Sequence, residues 1–255
     1  HLSLRRQRQM CIRDRSKGKQ GRNQTYSDAA IQCCLMIKSL FRLSLRMVTG
    51  FVQSLIHLCG LNWIAPDYTT ICRRQQHIDI VISYQKSCDG LYLIVDSTGL
   101  KFLGEGEWKR KKHQPEYRRQ WRKLHMGIDA KTLQIRAVQL TTNNVSDSQV
   151  LGDLLDQIPQ DERVDSVYTD GAYDTKQCRQ VIADRQAHAV IPPRKNAKPW
   201  KDKKMSSLER NELLRTVKRL GRTIWKKWSG YHRRSLVETK MHCIKLLGDK
   251  LRARN

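Results

Sequence analysis

The sequence predicts an α/β domain, a mixed sheet covered by helices, preceded by a small all-α region. Three observations carry that prediction. Strand-length apolar runs recur between residues 91 and 191, and two of them end on an aspartate. Helical periodicity falls between the later runs, so the alternation is that of a sheet wrapped by helices. Residues 27–77 show helical periodicity alone.

Residues 16–24 are polar, basic and glycine-containing, the composition of an arm. From Ser27 to Phe41 the apolar set Ile31, Cys34, Leu35 and Leu40 predicts a first helix. A second spans Leu45 to Cys59, with Val48, Phe51, Val52, Leu55 and Leu58 at helical spacing and Gly60 where a C-terminal cap belongs. Pro66-Asp67 introduces a third, Tyr68 to His77, carrying Arg73 and Arg74. Three short helices with a basic last member fit a helix-turn-helix reader of DNA. They fit a dimerisation or packing bundle as well.

Leu91 to Asp96 is a compact apolar run closed by an acid, the signature of a buried strand with an exposed C-terminal edge. Strands follow at 122–128 and 134–141, joined by the turn-like Asp129-Ala130-Lys131-Thr132. Asp147 to Ile158 is helical, with Asp147 as its N-cap. Val164 to Asp170 is a second strand ending in acid, and Asp174 just beyond it reads as a turn residue. A helix at 175–185 and a strand at 187–191 close the set before Pro192-Pro193. Three strands, helix, strand, helix, strand and a final helix is the order of the ribonuclease-H-like fold, a five-stranded mixed sheet. Arg194 to Gly230 is a basic, poorly patterned insertion with one helix at 208–220. Trp225 and Trp228 within it read as core or staple residues.

Composition bounds the partners. The chain has 255 residues, 49 Lys+Arg against 24 Asp+Glu, a net charge of +25 and a pI near 10.1. Such charge favours a polyanion, and here it is spread through segments with core-like patterning, as in a folded nucleic-acid-binding protein. An anionic membrane surface is the weaker rival, because no apolar run approaches the roughly 20 residues of a spanning helix. The eight cysteines include no Cys-x2-Cys pair and sit mostly in apolar helical contexts. They read as reduced, buried thiols of a cytoplasmic protein and point away from disulfides and zinc. The opening on His1, and the likeness of Met10 to Arg15 to a translated library adaptor, set residues 1–15 outside the fold reading.

The chemistry gathers near the end of the chain. Tyr231, Arg234, Glu238 and Lys245 would fall at about 0°, 300°, 340° and 320° around one helix. Val237, Ile244, Leu247 and Leu251 take roughly the opposite face. A lone acid among cations is ordinarily a solvated ion-pair row. Asp96 and Asp170 change that reading, since each stands at a strand end where open α/β sheets build their sites. If the last helix packs over the sheet, three carboxylates converge. Clustered anions raise one another's pKa unless cations bind. An all-oxygen set favours magnesium or manganese, and a pair of such ions suits phosphodiester chemistry.

On these residues the chain resembles bacterial insertion-sequence transposases of the DDE type over residues 20–255. The resemblance rests on Val95-Asp96-Ser97-Thr98-Gly99, Asn143 to Asp147, Thr169 to Asp174, and Gly230 to Glu238 with its complete Tyr-x2-Arg-x3-Glu-x6-Lys signature. It implies that Asp96, Asp170 and Glu238 are a catalytic, metal-binding triad for two Mg2+ or Mn2+ ions. It implies further that Tyr231, Arg234 and Lys245 contact DNA at the element's end. The implied reaction is cleavage at insertion-sequence ends and transfer of the freed 3′-hydroxyl into target DNA. The implied partners are double-stranded DNA, as terminal inverted repeats and target, and a second copy in a homodimer. The implied location is bacterial cytoplasm, at the nucleoid.

The domain reading is an arm at 1–24, a helical DNA-binding region at 25–85 and a catalytic domain at 88–255 with its basic insertion at 194–230. Lys111, Lys112, Arg118 and Arg119, interleaved with Trp108, Tyr117 and Trp121, resemble a hairpin arm for DNA, set against a solvated loop with packed aromatics. Of the histidines in or beside that stretch, His113 and His125, the second reads as a strand residue satisfied by hydrogen bonds rather than a metal neighbour. The alternative function is a catalytically inactive or truncated derivative that only binds DNA. A nuclease without strand transfer would share the same site.

Overall fold

The computed structural model describes residues 25–78, 84–87, 89–102, 121–248 and 250–251. The chain divides into two units, His1–Ser83 and Tyr84–Asn255.

In the first unit, each helix begins at a side chain suited to hold the orphan N–H groups of a first turn. The Ser27 hydroxyl accepts from Ala30 N–H ahead of α1 (Asp28–Leu40). Ser44 accepts from Met47 N–H ahead of α2 (Leu45–Leu58). Asp67 accepts from Thr69 N–H at 2.9 Å ahead of α3 (Tyr68–Arg74). The core is small: Ile31, Cys34, Val48 and Ile71. The apolar set expected on α2 is therefore only partly core. Val48 is buried and Val52 half-buried, whereas Phe51, Leu55 and Leu58 are exposed, Leu58 by 83%. Three short helices bury one narrow stripe each, and the rest of a longer apolar row is left outside.

The second unit holds β1 (Leu91–Phe102), β2 (Trp121–Asp129), β3 (Ile135–Thr142), β4 (Val164–Tyr168) and β5 (His188–Val190), ordered β3-β2-β1-β4-β5. β1, β2 and β3 pair antiparallel, while β4 and β5 join parallel to β1. This is the expected ribonuclease-H-like sheet. A two-residue β6 (Lys250–Leu251) is added beside the end of β1, so Leu251 lies on a strand and not on the last helix. Helices α4 (Asp147–Asp156) and α5 (Lys176–Asp184) follow β3 and β4. α6 (Met205–Leu220), α7 (Arg222–Trp228) and α8 (Ser235–Leu247) complete the unit.

Alternation along the strands divides the apolar residues between two cores. Leu91, Leu93, Val95 and Val167 pack with Leu151, Leu154, Leu155 and Ile182 from α4 and α5. Ile94, Met126, Ile128 and Tyr168 face the other way, against Trp225 of α7 and Val237 and Met241 of α8. Asp96 follows Ile94 by two residues and so shares the face that α8 covers.

Several local expectations change. Asp147 is not the cap of α4: Ser146 takes that place, in a capping box with Gln149, and Asp147 instead pairs with Lys123 Nζ at 3.2 Å. Asp174 is no surface turn residue. Its buried carboxylate receives Arg179 at 2.9 Å and Arg210 at 3.1 Å, and so ties α6 to α5 and the turn after β4. The insertion is accordingly more ordered than its composition implies, with two helices and with Trp200 under the Arg210 guanidinium. Trp225 is core, but Trp228 is 71% exposed. Among the described cysteines Cys34 and Cys178 are buried, while Cys33 and Cys243 are exposed on their helices and Cys59 is exposed just past the end of α2. No helix among the described residues is long and apolar enough to cross a membrane.

Candidate active site

Asp96 does not end its strand. β1 runs on to Phe102 because β2 keeps pairing with it as far as Lys101 opposite Trp121. The parallel partner β4 stops earlier, at the rung that matches Ile94 with Tyr168. Asp96 and Asp170 each stand two residues past that rung, at the point where the parallel part of the sheet opens. The chain leaves β4 into a 3-10 turn, Gly171–Tyr173, capped by the Asp170 carboxylate, which accepts from Ala172 N–H at 2.8 Å. Arg194 fixes the same turn from outside, donating Nε to Gly171 O at 3.1 Å and Nη2 to Ala172 O at 3.0 Å.

Glu238 arrives from the opposite direction. The helix carrying it is not continuous from Tyr231. Gly230, at φ +66°, turns the chain into a 3-10 segment, Tyr231–Arg234, and α8 begins at Ser235. Its dry face is Val237 and Met241, with Ile244 half-buried; Leu247 is exposed. Val237 and Met241 against Ile94 and Met126 set the height of α8 over the sheet, and Glu238 follows from that seating.

Arg234 joins the two sides. Its Nη2 donates to Asp96 Oδ2 at 2.8 Å and its Nη1 to Glu238 Oε1 at 3.0 Å. One guanidinium thus spans two of the three carboxylates as a fork. Burial pulls the Arg234 guanidinium down, but Asp96, Tyr231 and Glu238 together carry it above its ordinary value. Burial pushes the Asp96 carboxyl up, and the Asp170 and Glu238 anions add to that; Arg234 and the Ser97 N–H oppose them and lose.

Tyr231 is half-buried, its ring 5.7 Å from that of Trp225. Burial raises its hydroxyl above the ordinary value, against the pull of Arg234. Lys245 is half-buried two turns after Glu238 on the same face of α8. Trp121 lies at the start of β2, packed over Gly99. Arg73 is exposed on α3, whereas Arg74 is engaged within its own unit by Asp28 and the Tyr26 carbonyl. Lys111, Lys112, Arg118 and Arg119, with Trp108, His113 and Tyr117, lie outside the described residues. His125 is buried, its Nε2 at 2.8 Å from the Thr141 hydroxyl and its Nδ1 without a hydrogen-bond partner. It is satisfied on one side only.

Sequence reasoning missed two features. One is the bridging place of Arg234, which needs the distance between two chain segments. The other is Tyr173, a fully buried tyrosine whose hydroxyl has no partner and is raised by burial and by Asp147, Asp96 and Asp170. The signal available was its place three residues after Asp170.

The donors present suit a divalent cation in chemistry: carboxylate oxygens only, already holding a positive group between two of them. Among the described residues no group of three His, Cys, Asp or Glu stands as a ready metal cage, and Arg234 lies between Asp96 and Glu238. The guanidinium occupies the place of a counter-ion.

The sheet is ribonuclease-H-like, with Asp96 on β1, Asp170 two residues past the end of β4 and Glu238 on a late helix. Two family models, both described as transposase DDE domain, match residues 6–105 and 88–255. The chain belongs to the transposase DDE domain family. Transposases of this family are metal-dependent enzymes that cut DNA and transfer its strands, and they generally use divalent ions. In structure the chain is similar to the Drosophila P element transposase strand transfer complex, at 14% identity and a TM-score of 0.34. That likeness covers 72% of this chain and 41% of the other, so the chain spans less than half the length of that protein.

Proposed function

We propose that this chain is a transposase that cleaves DNA at the ends of an insertion sequence and transfers the freed 3′ end into target DNA, with Asp96, Asp170 and Glu238 as its catalytic triad. The arrangement that supports the reading is Asp96 and Asp170 each two residues past the last parallel rung of β1 and β4, with Glu238 tied to Asp96 through Arg234. The triad would hold magnesium or manganese, two ions per site, and that group would supply an activated hydroxyl and charge stabilisation for the leaving oxygen.

The chain's own residues do the positioning. Asp96 is fixed by β1 and Asp170 by its capped turn, so neither carboxylate reorganises far on binding. Arg234 holds Asp96 and Glu238 at a common distance until a cation or a phosphate competes for it. Tyr231, Arg234 and Lys245 offer a phenol and two cations beside the acids for the DNA backbone. A net charge of +25 draws the polyanion in. The partners in this reading are the element's terminal inverted repeats, a target duplex and a second copy of the chain, in bacterial cytoplasm.

The test is cleavage of a labelled duplex carrying the element's terminal repeat, against scrambled sequence, in magnesium and in EDTA. We expect nicking at the repeat boundary in magnesium only, abolished in Glu238→Gln and Asp170→Asn with binding retained. Nicking that persists in both variants would refute the triad. Binding without cleavage in either magnesium or manganese would leave a DNA-binding derivative in place of the enzyme. Cleavage with no joining of a supplied 3′-hydroxyl end would mark a nuclease.

A further inference from the structure

Directly beyond Asp170 the surface opens into a cavity of about 440 Å3, bounded by the Gly171–Ala172 turn, the Pro192–Lys195 segment after β5, α7, and Tyr231. Its lining brings four cations together, Arg194, Lys195, Arg222 and Lys226, and includes no carboxylate. They come from two separate stretches of the insertion, so the cluster is a product of folding and not of a charge run.

Two of the four are held in place. Arg194 donates to Gly171 O and Ala172 O, and Arg222 donates to Pro193 O. Carbonyl acceptors orient a guanidinium without neutralising it. A guanidinium has five N–H donors, so donors remain free on each. Lys226 is half-buried with its ammonium 5.4 Å from the centre of the Tyr231 ring, and Lys195 stands exposed at the rim. Fixed, unneutralised donors in a concave site are what an anion with several oxygens requires. The volume is that of a small-ligand pocket.

We propose that this cavity is a subsite for one backbone phosphate of a DNA strand, next to the phosphodiester presented to Asp96, Asp170 and Glu238. The proposal rests on the transposase reading for the strand itself, and the cavity adds register. By gripping a phosphate beside Asp170, Arg194, Lys195, Arg222 and Lys226 fix which neighbouring phosphodiester reaches the acids. A free inorganic phosphate has the same chemistry, and contiguity with Asp170 favours the strand.

The experiment measures binding in EDTA, so that it does not depend on cleavage. A labelled duplex ending in the element's terminal repeat is prepared with single phosphates replaced by neutral methylphosphonates along the strand that is cut. For the unaltered chain we expect one or two positions near the boundary where the replacement weakens binding about tenfold, and a steep salt dependence. In the Lys195→Gln/Lys226→Gln protein the same positions should cost nothing further. Its slope of log affinity on log salt should fall by about 1. Lys201→Gln/Lys203→Gln, with the same charge change elsewhere on the insertion, should keep the interference pattern. An unchanged pattern in Lys195→Gln/Lys226→Gln would overturn the subsite while leaving the transposase reading intact. Failure of the unaltered chain to bind any duplex would overturn both. Saturation by millimolar inorganic phosphate, with no interference position on DNA, would replace the strand by a free anion and also overturn the proposal.

Discussion

Replacing Arg234 by methionine keeps a stem of similar length and removes the fork between Asp96 and Glu238. The two arms differ in weight. Asp96 is 13% exposed and Arg234 22%, so that arm is close to a buried pair, whose breaking costs about 3–5 kcal/mol because a charge is left uncompensated. Glu238 is 57% exposed and four residues along the helix, an arrangement that contributes about 0.3–0.5 kcal/mol. Both arms are partly exposed, and solvent screening brings the sum below the buried-pair range, to about 2–3 kcal/mol. For a unit of this size that is a fall in Tm of about 5–10 °C. The assay is thermal unfolding in EDTA and again in excess magnesium. In EDTA the variant should melt lower by that amount. Magnesium should recover more stability in Arg234→Met than in the unaltered chain, because the three acids there lack their internal counter-ion and a ligand of the native state stabilises it in proportion to its affinity. An equal deficit with and without magnesium would refute the counter-ion reasoning, and no deficit in EDTA would refute the ion pair.

Other expectations follow from single sites. Asp129 is buried; burial raises its carboxyl, but the Lys131 N–H, the Thr132 hydroxyl and Arg136 outweigh it and hold it below the ordinary value. A depressed carboxylate contributes stability above its unfolded pKa of about 3.9 that is lost as pH falls through the folded value. Asp129→Asn should therefore flatten the acid limb of the Tm profile below pH about 4, and an unchanged limb would count against it. Burial, with Cys33 beside it, pushes the Cys34 thiol up to about 11. At pH about 8 a maleimide should label exposed Cys33 and spare Cys34, read by peptide mass spectrometry; equal labelling in the folded chain would contradict the packing of α1. Asp174→Asn leaves Arg179 and Arg210 buried without a full counter-charge and should lower Tm by about 6–15 °C. Arg210→Met, which removes a charge instead of stranding one, should cost less, and the reverse order by calorimetry would undo the argument.

Much of the fold was legible because its strands and helices carry their own periodicity. The runs at 91–96 and 164–170 announce buried strands, and apolar spacing marks the helices of the first unit, with Pro66-Asp67 ahead of the third. What stayed hidden depends on partners. β1 passes Asp96 only because β2 continues beside it, which no pattern within β1 records. Asp174 reads as a turn residue until Arg210, 36 residues later, is brought to it. Treating the last segment as one helix gave the right neighbours for Glu238 and misplaced Leu247 and Leu251, since Gly230 starts a 3-10 turn and the chain leaves α8 for β6. The three acids were legible as types at strand ends and on a polar helix face. Their convergence was legible only on the condition that the last helix packs over the sheet, and the contact of Val237 and Met241 with Ile94 and Met126 that seats α8 is not written in any one segment.

That seating accounts for the site's tolerance of its own repulsion. Burial pushes the Asp96 carboxyl up, and the Asp170 and Glu238 anions add to that. Yet the backbone that carries each acid is placed mainly by other groups. Asp96 is carried by a strand with apolar residues packed on both faces, Asp170 by a turn pinned through Arg194, and Glu238 by a helix whose contacts are apolar. About 1.5–3 kcal/mol accompanies each large apolar side chain fully buried beneath them, so a few such residues offset the electrostatic strain. The apolar layers fix the geometry and the cations meet the charge: Arg234 within the site, and the Arg194–Lys226 group at its edge. Removing a cation should therefore change affinity and stability while leaving the arrangement of the acids in place. Substituting Val237 or Met241 with alanine should instead displace Glu238 and lose cleavage with its charge intact. Retained cleavage in a folded Val237→Ala protein would show that α8 is not seated by this contact.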